Sequence, residues 1–211
     1  MVYHICNRSI VDYVIFNNEK EFSRMLLAIR YYQYGKQAVN LARFIKDATS
    51  KNSLCNTEMM LPVGQKILVN VIAYCLMPTH IHIVLEELAD NSISVYINNI
   101  LNSYTRYFNV KHNRKGPLWE GPSKKIPINT DEQLMHVTRY IHLNPVTAYI
   151  VNKPEEWPYS SYKEYISNRK SVTKICSYEH ILDIRPDLYK KFVDDAIVYQ
   201  RELAHIKDTI S

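Results

Sequence analysis

The chain has 211 residues, 46% of them hydrophobic and 22% charged, with a formal net charge of +5 and a pI near 8.9. Such a composition can bury a core and excludes a largely disordered polymer, while the modest positive charge permits a polyanionic partner without demanding one. The four cysteines, Cys6, Cys55, Cys75 and Cys176, form no C-x-x-C pair, which argues against a zinc knuckle or a disulfide framework.

Met1-Val2-Tyr3-His4 lacks the basic and apolar regions of a signal peptide, so a cytoplasmic location is expected. Val2 to Phe16 reads as two short strands, YHIC and YVIF, around the polar turn Asn7-Arg8-Ser9. Asn17-Asn18 then offers a cap for a helix over 19–34, whose apolar positions Phe22, Met25, Leu26, Ile29 and Tyr32 recur at helical spacing before Gly35. Residues 36–62 show no clean period and read as an insertion with at most one short helix or strand.

Ile67 to Leu85 is a long apolar run broken by Asn70, Pro78, Thr79, His80 and His82. It is a poor membrane span and a better pair of buried antiparallel strands joined at Pro78-Thr79. Asp90-Asn91-Ser92 caps a helix through Ile93, Ile97, Ile100, Leu101, Tyr104 and Phe108, which ends on the basic run Lys111, His112, Arg114, Lys115. The prolines of 117–127 confine that segment to a sheet margin. Thr130 and Gln133 form a capping box for a helix carrying Leu134, Val137, Tyr140, Ile141 and Asn144. Pro145 is expected to kink or end this helix, leaving Asn144 at a strained or exposed junction. The rest, turn-rich at 152–161 and helical in period at 186–206, reads as a C-terminal appendage. A domain at 1–151 with an extension at 152–211 follows.

His80 and His82 alternate onto one side of a strand, so two imidazoles can meet one divalent cation. Tyr140 and Asn144, four apart on a helix, share a face as well. Two histidines and an amide leave coordination positions open for a phosphate, and tyrosine adds a nucleophile. His142 lies two residues past Tyr140, so it points away and is not expected to be a ligand. His4, His112, His136, His180 and His205 have no comparable partner in the sequence and read as ordinary histidines.

YHICNRS, AYCLMPTHIHIVLE, GPLWEG, RYIHLNPVTAYIV and WPYSSYKEY, in that order over residues 2–166, resemble the single-tyrosine HUH transposases, specifically the REP-associated tyrosine transposase branch. The resemblance implies an α+β, ferredoxin-like antiparallel sheet with helices on one face. It puts the HUH histidines on a central strand, the tyrosine on a following helix, and a helical appendage at the C-terminus. By the same resemblance His80, His82 and Asn144 are metal ligands for Mg²⁺ or Mn²⁺, and Tyr140 is the nucleophile. The implied activity is cleavage and rejoining of single-stranded DNA beside hairpin, REP-like elements through a 5′-phosphotyrosine. The protein is expected as a monomer or homodimer associated with the nucleoid. Lys111, Arg114, Lys115, Trp119, Lys124, Lys125 and Arg139 are candidate DNA contacts, with Arg139, Lys124 and Lys125 also candidates to assist loss of the tyrosine proton. The alternatives are a hairpin-binding protein that does not cut, a HUH nickase and, remotely, a metal hydrolase with no DNA substrate. The 36–62 insertion and the tail after 166 depart from a compact version of the family.

Overall fold

Strand β1 (Val2–Arg8) lies inside a four-stranded antiparallel sheet of order β2-β3-β1-β4, with β2 at Val69–Met77, β3 at His80–Glu87 and β4 at Lys124–Ile128. Helix α1 (Glu19–Tyr32) connects β1 to β2, and α3 (Ser92–Lys111) connects β3 to β4. Each crossover joins two parallel strands separated by a third. Right-handed crossovers of this kind put both helices on one face, where α1 and α3 pack together. This is the ferredoxin-like sheet that the family resemblance implies. The computed structural model describes residues 1–35, 39–50, 66–167 and 174–210. Within the expected insertion, Leu41–Ser50 forms helix α2, and the remainder at 36–38 and 51–62 lies outside the described residues.

The second strand expected before α1 is absent: after β1 the chain makes a 3-10 turn at Ile10–Asp12 and then an unpaired approach to the helix. The apolar pair Ile15 and Phe16 is buried, but both of its N–H groups donate to the Pro78 carbonyl at the β2–β3 turn. A buried apolar pair thus needs no strand partner when one carbonyl satisfies both donors. Asn18 caps α1, accepting from Glu21 N. Glu21 itself is buried and ties α1 to the end of α3, with Lys111 Nζ and His112 Nε2 each 2.7 Å from its Oε1.

Burial alone would raise the Glu21 carboxyl, but hydrogen bonds from Lys111, the Asn17 backbone and His112 hold it down at about 2. A depressed carboxylate stabilises the fold above its unfolded value near 4.5 and loses that contribution as pH falls through the folded value. Acid should therefore remove roughly 3 kcal/mol between pH 4.5 and 2. Urea midpoints across that window should fall steeply in the wild type. In Glu21→Gln the fall should be shallower; an identical slope would show that this network contributes nothing.

Helix α4 (Asp131–Thr147) lies on the opposite face of the sheet, against β2 and β3. Helices therefore cover both faces, α1 and α3 one and α4 the other, where helices on one face were expected. Thr130 accepts from Gln133 N at 3.1 Å as expected, while Gln133 Oε1 takes the Asn129 N–H. Pro145 does not end the helix. It removes only the donor to one carbonyl a turn earlier, and the last turn is completed by Ala148 N to Asn144 O and Ile150 N to Pro145 O, both 2.9 Å. The helix stops instead where Tyr149 takes a left-handed backbone, φ 55°. Asn144 is consequently buried inside a helix, at 9% exposure, and not at an exposed junction.

The segment after residue 152 forms α5 at Tyr162–Ile166, and the helical period expected at 186–206 appears in it as α6 at Pro186–Asp194 and α7 at Ile197–Ile210. It also shares the core. Leu76 N donates to Tyr159 O, Ser161 N to Tyr74 O and Ser177 N to Val71 O, so these residues cover the outer edge of β2. A bulge in β2 between Val71 and Ala73 leaves Ile72 unpaired with β3, and the Ile72 carbonyl accepts the Tyr165 hydroxyl at 2.7 Å. His142, fully buried, bonds Tyr189 Oη at 2.7 Å and Ser161 Oγ at 2.8 Å. It is a core histidine of α4, not a ligand.

Candidate functional site

The site forms where β1, β3 and α4 meet. Antiparallel register sets Arg8 opposite His80, Cys6 opposite His82 and His4 opposite Val84, and directly opposed residues share a face. One face of the sheet thus carries Arg8, Cys6 and His4 beside His80 and His82. Tyr140, 39% exposed, comes down on this face from α4. Its ring centroid is 5.8 Å from His82 and 6.4 Å from His4, edge-on to both. His80 and His82 lie 5.1 Å apart, centroid to centroid, with their rings nearly perpendicular. Asn144 follows Tyr140 by one turn of α4, on the same side of the helix.

Each histidine is held by one ring nitrogen. His80 Nδ1 is 3.0 Å from Thr79 Oγ1, and His82 Nδ1 is 2.9 Å from His4 Nε2. Among the described residues both Nε2 atoms keep no protein hydrogen bond, and the buried Asn144 amide nitrogen has no partner either. An amide can present its oxygen in that position by a half-turn. Burial lowers His80 to about 4, with Arg8 adding and Asp12 opposing, and burial lowers His82 well below its ordinary value, with His80, His4 and Arg8 adding. Both imidazoles are therefore neutral near pH 7, as metal ligands must be. No cluster of three or more His, Cys, Asp or Glu side chains suited to a metal occurs among the described residues. The donor set expected from the sequence is the two histidines plus the Asn144 amide, a set that keeps positions open.

Burial, with a contribution from Cys6, raises the Tyr140 hydroxyl, and Arg8 opposes both. Arg8 is therefore the cation that bears on the phenol. It is paired with Asp12 at 3.3 Å across a turn in which Val11 and Asp12 both have φ 50°. The candidate cations of the sequence separate by position. Lys124 is opposite Cys6 on the site face, whereas Lys125 alternates to the other face, over the Tyr3 ring and 3.4 Å from Glu87. Lys111 is committed to Glu21. Arg114 donates to Asn109 Oδ1 and to Pro117 O, and Lys115 is exposed after α3. Arg139 turns from Tyr140 to stack over Phe192 and meet His136. Trp119 is half-buried, its indole N–H bonded to Thr105 Oγ1. His4, Cys6 and Arg8 belong to the site yet were not singled out by the sequence. Strand alternation groups the three in YHICNR, but their pairing with β3 depends on register.

The site thus sets a helical tyrosine edge-on to two strand-borne histidines, His82 and His4, in a ferredoxin-like sheet. Residues 57–144 match the family model described as "Transposase IS200 like", a span that contains His80, His82 and Tyr140 and ends on Asn144. The fold is similar to a solved structure of a REP-associated tyrosine transposase bound to a REP hairpin, with a TM-score of 0.53 and 13% identity over 83% of this chain and 86% of that one. At that identity the likeness speaks for the fold. No curated protein matches the sequence significantly. Both findings agree with the recognition made from the sequence: residues 57–144 are similar to IS200-like transposases, and the fold is similar to that of a REP-associated tyrosine transposase. No helix among the described residues is long and apolar enough to cross a membrane.

Proposed function

We propose that this chain is a metal-dependent transesterase that cuts and rejoins single-stranded DNA beside hairpin elements, acting at the nucleoid as a monomer or homodimer. The observation that carries the reading is Tyr140 set against the rings of His82 and His4, with Tyr140 and His82 inside the segment that matches IS200-like transposases. His80, His82 and Asn144 would hold Mg²⁺ or Mn²⁺, which supplies charge neutralisation at the scissile phosphate. Tyr140 Oη attacks phosphorus, the P–O3′ bond breaks, the phenolic proton passes to solvent and the departing 3′ oxygen takes one up. The 5′-phosphotyrosine keeps the phosphodiester linkage energy. A second 3′-OH reverses the step and joins new ends without ATP. Arg8 stabilises negative charge developing on the phenol, and Lys124 grips the strand on the same face. In this reading residues 1–151 carry the chemistry and 152–211 brace α4 from behind.

The test is incubation with a labelled single-stranded hairpin oligonucleotide and Mn²⁺. A covalent protein–DNA band should form with the single strand and not with its fully paired duplex, whose partner strand obstructs the phosphate. His80→Ala and His82→Ala should each weaken Mn²⁺ binding by about 10-fold or more, and Asn144→Ala by less. Equal cutting of duplex would point to a general nuclease. Hairpin binding with no cutting at any metal concentration would favour a structural hairpin-binding protein.

A further inference from the structure

We propose that His4 is a positioning residue that fixes the tautomer of His82 and so presents its Nε2 to the metal; the inference rests on reading His80 and His82 as ligands. The geometry is specific. His4 Nε2 lies 2.9 Å from His82 Nδ1 between two buried side chains. Ring planes only 24° apart at a centroid separation of 5.1 Å put that contact close to the plane of both imidazoles, where the lone pair and the N–H lie. A 2.9 Å contact between two ring nitrogens is a hydrogen bond with one proton between them. If it belongs to His82 Nδ1, His82 Nε2 carries a bare lone pair and can bind a cation. If it belongs to His4 Nε2, His82 is protonated on Nε2 and cannot. In the proposal His82 donates and His4 accepts already in the metal-free protein, so a cation meets a bare Nε2 with no proton to relocate.

No other described side chain holds His82 by a hydrogen bond. Thr79 does the equivalent for His80 from the adjacent position in sequence. His4 reaches His82 only through strand pairing, one diagonal step along β1 from Cys6. It lies outside the span matched to the transposase family. Its edge-on contact with Tyr140 gives it a second consequence, since the same ring that accepts from His82 also forms part of the wall against which the phenol rests.

Two variants separate these roles. His4→Phe keeps a ring in the wall and removes the acceptor; His4→Gln can restore an acceptor oxygen without the ring. Mn²⁺ affinity, read by the free-ion electron paramagnetic resonance signal, should fall about 10- to 100-fold in His4→Phe and stay within about 3-fold of wild type in His4→Gln. Long-range ¹H–¹⁵N spectra of the metal-free protein give an independent readout. His82 should hold its proton on Nδ1 in the wild type and His4→Gln, and populate both tautomers in His4→Phe. Wild-type affinity and an unchanged His82 tautomer in His4→Phe would overturn the proposal. If instead His82→Ala binds Mn²⁺ as tightly as the wild type, the ligand reading fails, and the tautomer spectra still decide whether His4 sets the proton on His82.

Discussion

Tyr140→Phe should abolish the covalent protein–DNA product, on the order of 10³-fold or more below wild type, while changing hairpin affinity by no more than about 2- to 3-fold. The substitution removes one oxygen. The ring, which meets His82 and His4 edge-on, stays in place, so packing and the binding surface are preserved. Tyr107→Phe and Tyr149→Phe are controls, since Tyr107 is on α3 and Tyr149 lies past the end of α4, with Arg201 over its ring. Both should form adduct normally. Adduct formation by Tyr140→Phe at wild-type levels would move the nucleophile elsewhere.

Tyr165→Ala should be among the most destabilising single changes available, at about 3–5 kcal/mol. Tyr165 is 1% exposed, stacks on Tyr178 at 3.9 Å and meets Tyr189 and His142 at 4.7 and 4.9 Å between centroids. Its loss opens a cavity between β2, α4 and the C-terminal helices, and leaves the Ile72 carbonyl without the hydroxyl that now reaches it. Tyr165→Phe keeps the ring and should cost only about 1 kcal/mol. Urea unfolding decides between them. A Tyr165→Ala protein as stable as the wild type would mean that the C-terminal segment is an independent appendage and not part of the core that holds α4.

That segment shows where the sequence stops being legible. Its helical period is visible in Leu188, Phe192, Val193 and Ile197, yet nothing local says that Tyr159, Ser161 and Ser177 will hydrogen-bond along β2. By contrast the β2–β3 hairpin, both crossover helices and the Thr130 cap are local patterns of burial and capping, while the ferredoxin-like sheet was expected from the family resemblance and not from those patterns. Pro145 misled because its cost is one carbonyl, which a well-packed helix end absorbs. The histidine pair and the tyrosine were legible from periodicity on their own elements. His4 and Arg8 were not, because a strand's register against its neighbour is a tertiary property. Lys124 and Lys125 fall between these cases: alternation alone says they cannot face the same side, and only the pairing with Cys6 says which one faces the site.

The most direct test of the central claim is to map the DNA-linked residue. Wild-type protein is reacted with a single-stranded hairpin oligonucleotide and Mn²⁺, digested with nuclease and protease, and analysed by tandem mass spectrometry. The account predicts a 5′-nucleotide attached through phosphate to Tyr140 in the peptide around RYIHLNPV. A nucleotide on any other residue, or free cleaved ends with no linked peptide, would contradict it.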